Sequence, residues 1–318
     1  MSIISNSIRQ AVEILNNENV VAIPTETVYG LAANIYSDKA IRKIFEVKQR
    51  PLFNPLIVHL HCLEQLEEVV SEFPLKAKLL ASAFWPGSLT LLLKKKDNIP
   101  DLITAGKDTV AVRIPNHPVT LQLLKKLSFP LAAPSANPFN RISPTSALHV
   151  ESYFKDTIPM ILEGGECKNG LESTIIGFEN EEPVIYRLGA ISIEEIEQVV
   201  GRIDLKNKEE NTPNAPGMLA KHYSPKTKTY LLKDAKKFIA DYRGKKIGLV
   251  CFSKVITAPN VKHVEVLSNS EDLKEAASNL YRALHTLDEL NLDMIVAERF
   301  PEIGLGKSIN DRLERAAK

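Results

Sequence analysis

The segment VVAIPTETVYG, residues 20–30, sets the architecture of the chain, because four apolar residues run directly into a turn crowded with polar groups. Residues 20–24 have the length and composition of a short buried strand that ends at a proline. Two hydroxyls and a carboxylate follow, and Gly30 permits close approach of the backbone to a ligand. The turn is predicted to open toward a helix, and a simple strand-to-helix cap explains its polar residues as well as a ligand site does.

Short apolar runs on the C-terminal side of this segment predict a series of further strands. They are bounded by turn residues and cover residues 56–60, 89–93, 109–114, 130–134, 160–164, 173–178 and 183–188. Fewer helices are indicated: apolar spacing predicts one at 7–18, and Ser37 and Asp38 are suited to cap the next. This mixture favours an α/β fold built on a mixed sheet, with one face available for a ligand.

Charge changes sharply in the second half of the chain. Residues 151–210 carry 14 acidic and 6 basic side chains, whereas residues 211–262 carry 2 acidic and 11 basic ones. The change falls on the turn-rich segment 207–228, which has three prolines and reads as a linker, although two differently solvated faces would also explain it. After the linker, strands and helices alternate as in a small parallel, Rossmann-like sheet. We therefore predict a first domain at 1–206 and a second at 229–318.

The overall composition excludes several classes of protein. The chain has 318 residues, 44% of them hydrophobic, and 40 Lys and Arg against 39 Asp and Glu, for a formal net charge of +1. The chain is too apolar to be disordered. Its positive and negative charges are too evenly balanced for a protein that mainly binds nucleic acid non-specifically. Cys62, Cys167 and Cys251 are too far apart for a disulfide framework or a CxxC zinc site. With no signal-peptide core and no apolar run of transmembrane length, we expect a cytoplasmic protein that does not enter a membrane.

The segment KQRPLFN, residues 48–54, places two cations at the end of the predicted second helix. Arg50 offers a planar fork and Lys48 a point charge, so the pair is suited to clamp a phosphate group. Favourable placement of cations at a helix C-terminus is the simpler alternative. His59 and His61 lie on one side of the following strand, and without a third ligand nearby a hydrogen-bonding His59 is favoured over a zinc site.

Two arginines lie in otherwise apolar strands. Arg113 shares one face of its strand with Thr109 and Ala111, and Arg187 ends the strand at 183–188. An unpaired buried charge is very costly, so each arginine needs a partner, which is either a protein acid or a bound anion.

Two segments rich in small residues have different interpretations. AAPSANP, residues 132–138, lets a flat or charged ligand approach the backbone, although Ser and Asn there also form turns. GKS, residues 306–308, looks like the end of a P-loop. A P-loop also requires glycine at position 301, where this chain has Pro301. We interpret it as the start of the last helix, with Ser308 or Asn310 near the cap.

Together these segments resemble the YrdC-type domain in order and spacing. The matching segments are PTETVYGLAAN, KQRPLFNPLIVH, FWPGSLTLLL, DTVAVRIPNHP, PLAAPSANPFNRISPT, GLESTII and YRLGAI. APGMLAKHYSP and GLGKSINDRLERAA are similar to segments of the long, two-domain L-threonylcarbamoyladenylate synthase family, so the resemblance covers nearly the whole chain. It implies a YrdC-type twisted mixed sheet with helices and a smaller C-terminal Rossmann-like α/β domain.

The resemblance also implies an enzyme. Members of the family are nucleotidyltransferases that make threonylcarbamoyl-AMP and pyrophosphate from L-threonine, bicarbonate or CO2, and ATP. Mg²⁺ would be carried by ATP and would need no protein side chain as a ligand. A downstream threonylcarbamoyl transferase complex would use the product to modify tRNA, and the implied contact of this protein with tRNA is at most weak.

The functional positions of the family fall on particular residues of this sequence. The residues implied to hold L-threonine are Thr25, Thr27, His59, Arg113 and Ser173. The residues implied to line the ATP site are Lys48, Arg50, Asn54, Thr109, Ala133, Ser135, Asn137, Arg187, His222 and Tyr223. Lys48 and Arg50 are also the implied catalytic residues, and residues 216–223 of the linker would act as a lid.

The linker departs from the family pattern at two places. Ala215 stands where the family usually has Ser, and Leu219-Ala220 stands where it usually has Lys-Tyr. The lid of this chain therefore lacks a hydroxyl contact to ATP and one positive charge, whereas His222 and Tyr223 match.

An RNA-binding YrdC-type module without ATP turnover is the alternative function. RNA-binding surfaces of this kind combine basic and aromatic residues. The balanced net charge and an aromatic content of only 6% count against it.

Overall fold

In a computed structural model, the described residues are 3–207 and 222–318, and they form two sheets flanked by helices. Most of the predicted lid, with Ala215, Leu219 and Ala220, lies outside the described residues. None of the helices in the described parts of the chain is long and apolar enough to cross a bilayer.

The large sheet is built from residues 3–207. Its strands are β1 (Ile3–Ser5), β2 (Val21–Ile23), β3 (Gly30–Asn34), β4 (Ile57–His59), β5 (Leu89–Lys94), β6 (Thr109–Arg113), β7 (Leu131–Ala132), β8 (Met160–Leu162), β9 (Thr174–Glu179), β10 (Glu182–Arg187) and β11 (Asp204–Leu205). The helices are α1 (Ile8–Asn16), α2 (Asp38–Lys48), α3 (Leu66–Val69), α4 (Leu75–Phe84), α5 (Asp101–Thr104), α6 (Pro118–Lys125), α7 (Ala147–Phe154) and α8 (Ile193–Val200). The strand order is β1-β8-β2-β3-β7-β4-β6-β5-β9-β10-β11, with parallel and antiparallel pairs, so the predicted mixed α/β class is confirmed.

The small sheet is built from residues 229–298. Its elements and the last helix are β12 (Thr229–Leu232), α9 (Ala235–Asp241), β13 (Ile247–Cys251), β14 (Val261–Val266), α10 (Leu273–Glu289), β15 (Met294–Glu298) and α11 (Leu305–Ala316). All three strand pairs are parallel, in the order β12-β15-β13-β14, as predicted for a Rossmann-like sheet.

Local sequence explains how the first helices begin. The hydroxyl of Ser7 accepts a hydrogen bond from Gln10 N at the start of α1, and Ser37 caps α2 through Ala40 N. Each cap satisfies one of the backbone donors that a helix leaves unpaired at its N-terminus. Helix α2 ends at Lys48, the first of the two predicted phosphate-binding cations, and Gln49 follows in the left-handed region with a φ of +53°.

The register of the central strands gives one sheet face its polar character. Strand β4 is parallel to β6, with Ile57 beside Ala111 and His59 beside Arg113. Because side chains alternate along a strand, these residues share one face, whereas Val58 and Val112 point into the core on the other. That core is closed by α2, α4, α7 and α8.

The polar face is only partly covered by helices. Helices α1 and α6 pack over the β2–β3–β8 end of the sheet. Ile57, Ala111 and Ile175 form a separate small apolar cluster further along. Helices α10 and α11 of the second domain approach from this side, since Val28, Ile142 and Leu171 of the first domain belong to the same apolar cluster as Leu280 of α10. The cavity described below lies at this junction.

Several elements differ from the sequence-based predictions. The polar turn after β2 opens into β3, which pairs antiparallel with β2, and not into a helix. The strand predicted at 130–134 is reduced to Leu131–Ala132. Helix α11 begins at Leu305, so Ser308 and Asn310 lie inside it and not at its cap.

Candidate active site

A small cavity, with about 50 Å³ of space that a water-sized molecule can enter, lies between the polar sheet face and residues 222–223. The residues that line it are Thr27, Val28, Arg50, Pro55, Ile57, Arg113, Pro134, Ser135, Glu172, Ser173, Arg187, His222 and Tyr223. Seven segments of the sequence therefore converge on one hollow.

Most of the residues singled out in the sequence lie at this cavity or directly behind its wall. Those in the lining are Thr27, Arg50, Arg113, Ser135, Ser173, Arg187, His222 and Tyr223. Those that contact or adjoin the lining are Thr25, Lys48, Asn54, His59, Ala133 and Asn137. Thr109 lies at the opposite end of β6 from Arg113 and outside the lining, so the structure does not bring it to the cavity.

Lys48 and Arg50 form a buried pair of cations at one end of the cavity. Lys48 Nζ donates to Ser135 O at 2.6 Å and to Asn137 O. Arg50 donates to Asn54 O at 3.2 Å and to Pro55 O at 2.8 Å. Burial and the neighbouring Arg50 hold the pKa of Lys48 well below its usual value, and burial and Arg187 lower the pKa of Arg50 to about 9. The site thus holds like charges close together at a cost that a bound anion would offset.

The partner of Arg113 is an acid of the protein, Glu26. Its Nη2 donates to Glu26 Oε1 and its Nη1 to Thr27 Oγ1 at 3.0 Å. Glu26 also accepts from Ser88 Oγ at 3.1 Å and from Asn116 N at 3.0 Å. Arg113 Nε is buried and makes no hydrogen bond within the described parts of the chain.

His59 is held as a neutral ring beside Arg113. Its Nδ1 lies 3.1 Å from Ile57 O, and it is 3% exposed. Burial and the adjacent charge of Arg113 lower the pKa of His59 to about 3. His61 lies beyond the end of β4 and lines a different groove with Cys62, so the two histidines do not form a common metal site.

Ser173 links two sides of the cavity. Its hydroxyl lies 2.6 Å from Thr90 Oγ1 and accepts from Arg187 Nη2 at 3.0 Å. The carbonyl of Ser173 also accepts from Arg187 Nε and Nη2. Arg187 is therefore oriented by the segment that carries the serine.

Several polar atoms around the cavity are buried without a hydrogen bond to the described residues. They are Asn54 Oδ1 and Nδ2, Arg113 Nε, Asn137 Oδ1, His222 Nδ1 and Tyr223 OH. Native proteins leave few buried polar groups unpaired, because each costs about 1–3 kcal/mol. A concentration of them at one hollow is typical of a ligand site.

Tyr223 adopts a backbone conformation that is rare for a bulky side chain. Its φ is +62°, in the left-handed region, and its side chain is buried. The ring lies 4.0 Å from that of His222 and 4.7 Å from the guanidinium of Arg312. Such strain persists where surrounding contacts fix the residue, often at functional sites.

Two acids in the lining region were not assigned a role from the sequence. Glu26 lies within the quoted PTETVYG segment, and the demand of Arg113 for a partner was the signal that could have identified it. Glu172 is bound by Ser143, Tyr281 and Arg312, the last two from the second domain. Because both carboxylates are engaged, and the described residues contain no cluster of three His, Cys, Asp or Glu, these parts of the chain offer no set of side chains for a metal ion.

Family comparison divides the chain into two matched regions. Residues 13–189 match a family model that groups Sua5, YciO and YrdC proteins and is described as Telomere recombination. Residues 191–318 match the model described as Threonylcarbamoyl-AMP synthase, C-terminal domain.

Individual proteins are similar over nearly the full chain. The threonylcarbamoyl-AMP synthase of Pyrococcus abyssi is 41% identical over 98% of this chain and 94% of its own length. That of Bacillus subtilis is 39% identical over 98% and 92%. The crystal structure of P. abyssi Sua5 complexed with L-threonine superposes with a TM-score of 0.93 at 40% identity, covering 99% of this chain and 98% of that one.

Proposed function

The chain belongs to the threonylcarbamoyl-AMP synthase family in its long two-domain form, and from this premise we propose how its cavity carries out the reaction. The enzyme is a nucleotidyltransferase that forms threonylcarbamoyl-AMP and pyrophosphate from L-threonine, bicarbonate or CO2, and ATP. This product would supply a threonylcarbamoyl transferase complex that modifies tRNA.

The concentration of cations is the observation that carries the proposal. Lys48 and Arg50 are 1% and 8% exposed, and neither forms an ion pair with an acid of residues 3–207 or 222–318. A triphosphate is the substrate part that would offset this charge, because Arg and Lys bind phosphate by charge-assisted hydrogen bonds. Mg²⁺ would enter as part of the MgATP substrate, since the acids at the cavity are already engaged.

L-threonine would bind at the opposite end, beside Arg113. The crystal structure of P. abyssi Sua5 complexed with L-threonine supports this amino acid as a substrate. Arg113 uses one N–H of Nη1 for Thr27 and one of Nη2 for Glu26, and its buried Nε has no hydrogen bond to the described residues, so donors remain for the substrate carboxylate beside Glu26. Thr27 and Ser173 would add hydroxyl contacts, and neutral His59 would orient the substrate and not act as a base.

The chemistry requires positioning more than covalent catalysis. The threonine amine attacks CO2 to form a carbamate and releases a proton. A carbamate oxygen then attacks the α-phosphorus of ATP, and pyrophosphate leaves with the electrons of the broken P–O bond. Holding two reactants in line can lower such a barrier by up to roughly 7–11 kcal/mol, and Lys48 and Arg50 would neutralise charge on the leaving phosphates.

We place this activity in the cytoplasm. All three cysteines are free, as is usual in a reducing compartment. ATP and tRNA are both available there.

Threonine- and bicarbonate-dependent release of pyrophosphate from ATP tests the proposed function. Mass spectrometry should detect threonylcarbamoyl-AMP only when all three substrates are present. Pyrophosphate release at the same rate with and without threonine would contradict the proposed function. Tight, salt-sensitive tRNA binding without ATP turnover would instead favour the RNA-binding alternative.

A further inference from the structure

A concentration of positive charge lies outside the cavity, in the first part of the second domain. Residues 226–246 carry eight basic and two acidic side chains, whereas the whole chain of 318 residues has a formal net charge of only +1. The basic side chains are all exposed, and they are Lys226, Lys228, Lys233, Lys236, Lys237, Arg243, Lys245 and Lys246. The reaction proposed for the cavity uses none of them.

Few acids of the protein offset this charge. Lys245 Nζ lies 3.3 Å from Asp293 Oδ1, and this is the one salt bridge that the eight cations make with residues 3–207 and 222–318. Asp234 caps helix α9, where its Oδ1 accepts a hydrogen bond from Lys237 N at 3.0 Å. The segment therefore keeps an excess of positive charge at its surface, which attracts polyanions from solution.

Helix α9 places these cations on the side of the small sheet that faces away from the first domain. Its Ala235 and Ile239 share an apolar cluster with Leu249. The next strand residue, Val250, belongs instead to the cluster that α10 and α11 form with the first domain. Because side chains alternate along a strand, α9 lies on the opposite face from the cavity.

Three aromatic rings stand beside the cations. The rings of Tyr230 and Phe238 lie 5.0 Å apart, and those of Phe238 and Tyr242 are stacked at 4.4 Å. Lys228 Nζ lies 5.1 Å from the centre of the Tyr230 ring. Tyr230 and Phe238 are half-buried, whereas Tyr242 is 38% exposed and directly precedes Arg243. One ring supported from below is thus presented to solvent among basic side chains.

This combination matches the chemistry of an unpaired nucleic-acid strand. Lysine and arginine neutralise successive phosphates, and the flat faces of unpaired bases stack on aromatic rings. An acidic protein surface would engage the cations, but it offers no row of planar bases to the exposed ring. The 6% aromatic content and the balanced charge of the whole chain do not describe this segment, where both kinds of residue are concentrated.

We propose that this face binds a single strand of nucleic acid, with phosphates on the cations and one base stacked on Tyr242. The residues of this α9 surface are Lys228, Lys236, Lys237, Tyr242, Arg243, Lys245 and Lys246. Binding here accompanies ATP turnover in the cavity and does not replace it. RNA and DNA share the chemistry that the surface recognises, so the experiment includes both.

The experiment measures fluorescence anisotropy of labelled oligouridylate and oligothymidylate, each of about 12 nucleotides, with the full-length protein. The two probes identify which nucleic acid is the better ligand. An abasic strand of the same length keeps the phosphates and lacks the bases, so it should bind several-fold more weakly. Each titration is repeated between about 50 and about 200 mM potassium chloride, because release of counterions makes phosphate contacts salt-dependent.

Lys236→Gln combined with Lys237→Gln tests the phosphate contacts. Affinity should fall about tenfold at low salt, and the slope of log affinity against log salt should become shallower by about 1.4, as expected for two lost phosphates. Lys125→Gln combined with Lys126→Gln is the matched control, because these neighbouring lysines are equally exposed at the end of α6 in the first domain. The control should bind as the wild type does.

Tyr242→Leu tests the stacking. It should lower affinity for the base-bearing probes about tenfold, leave the salt slope unchanged and leave binding of the abasic strand unchanged. Tyr242→Phe keeps the ring and should retain wild-type affinity. Threonine-dependent pyrophosphate release and the thermal midpoint should stay at wild-type values in every variant, since none of these residues lies at the cavity.

Three results would overturn the inference: no salt-sensitive binding of either probe by the wild type, equal loss in the two double-lysine variants, or equal binding of the abasic and base-bearing strands. If Tyr242→Leu does not fold, the abasic comparison with the wild type still decides whether a base is stacked. Binding without any pyrophosphate release would contradict the proposed function of the cavity and would leave the assignment of the α9 surface standing.

Discussion

Lys48 is the residue whose role can be tested most directly. Its ammonium group is buried, contacts the carbonyls of Ser135 and Asn137, and repels Arg50. We expect Lys48→Met to lower threonine-dependent pyrophosphate release by roughly 10²-fold or more, because a pre-positioned charge at the transferring phosphates is lost. Arg42→Met is the matched control, since Arg42 lies exposed on the same helix. Equal loss in both variants would show that the effect comes from the helix and not from the site.

Individual site residues could be predicted where the residue type and its local sequence require a partner of opposite charge. A lysine and an arginine beside a proline, or an arginine in an apolar strand, require a partner whatever the fold. The identity of the partner could not be predicted. Glu26 and Arg113 are separated by 87 residues and Glu172 and Arg312 by 140, and no local pattern connects them.

At the scale of elements, Gly170 controls how closely α10 approaches the first domain. Its φ is +64°, and an added Cβ would lie 2.4 Å from the backbone oxygen of Ser278. Gly170→Ala should therefore lower the free energy of unfolding for two reasons. The left-handed backbone conformation has its own cost for alanine, and the clash of the new Cβ with α10 should add about 2 kcal/mol to it.

Gly106→Ala measures that strain separately. Gly106 has a φ of +78° and no atom within 4 Å of an added Cβ, so we expect a loss of only about 1 kcal/mol. Urea unfolding of both variants gives the comparison. Equal losses would mean that α10 moves away at no cost.

Helices α7 and α10 meet through a stacked pair of histidines, which makes this contact sensitive to acid. The rings of His149 and His285 lie 3.9 Å apart. Burial and Arg282 lower the pKa of His149 to about 4, and burial and His149 lower that of His285 to about 3, from an ordinary value of 6.5. The unfolded chain therefore takes up protons below about pH 6.5 that the native protein does not.

Stability should accordingly fall as the pH drops from 6.5 toward 4, by about 1–2 kcal/mol for each histidine at pH 5. His285→Gln keeps a donor for Ser143 O but does not titrate, so it should reduce the difference in unfolding free energy between pH 7.5 and pH 5 by that amount. The measurement is urea unfolding at both values. An unchanged difference would contradict the interpretation.

Elements were predictable where burial gives long apolar runs, and less so elsewhere. Strands β5, β9 and β10 were expected within one residue or so because their runs are bounded by turn signals. Strand β3 was missed because GLAAN consists mainly of small residues with little strand propensity, and pairing with β2 and β7 determines its conformation. Helix α11 starts at Leu305, earlier than the expected start near residue 308; the backbone of Gly306 lies too close to Pro301 for an added Cβ, and local spacing does not show this approach.

For the whole molecule, the contacts between the two domains determine how loss of the second domain should affect the first. Because the predicted catalytic residues lie before residue 224, we expect loss of residues 229–318 to lower activity more than it lowers folding of the first domain. The structure adds that Glu172 would lose Arg312 and Tyr281, and that Val28, Ile142 and Leu171 would lose their apolar partners.

We expect the fragment 1–207 to unfold cooperatively at a lower temperature and to retain less than a tenth of the pyrophosphate release. Circular dichroism and the pyrophosphate assay are the measurements. Full activity in the fragment would contradict both the lid prediction and the importance of the junction.

The pre-formed pair between Glu26 and Arg113 has a consequence for how the two substrates respond to ionic strength. The amino-acid end of the hollow is already neutralised before a zwitterion arrives, whereas the cations at the other end attract a polyanion from a distance. Raising potassium chloride should therefore weaken capture of the nucleotide steeply while leaving the affinity for threonine almost constant.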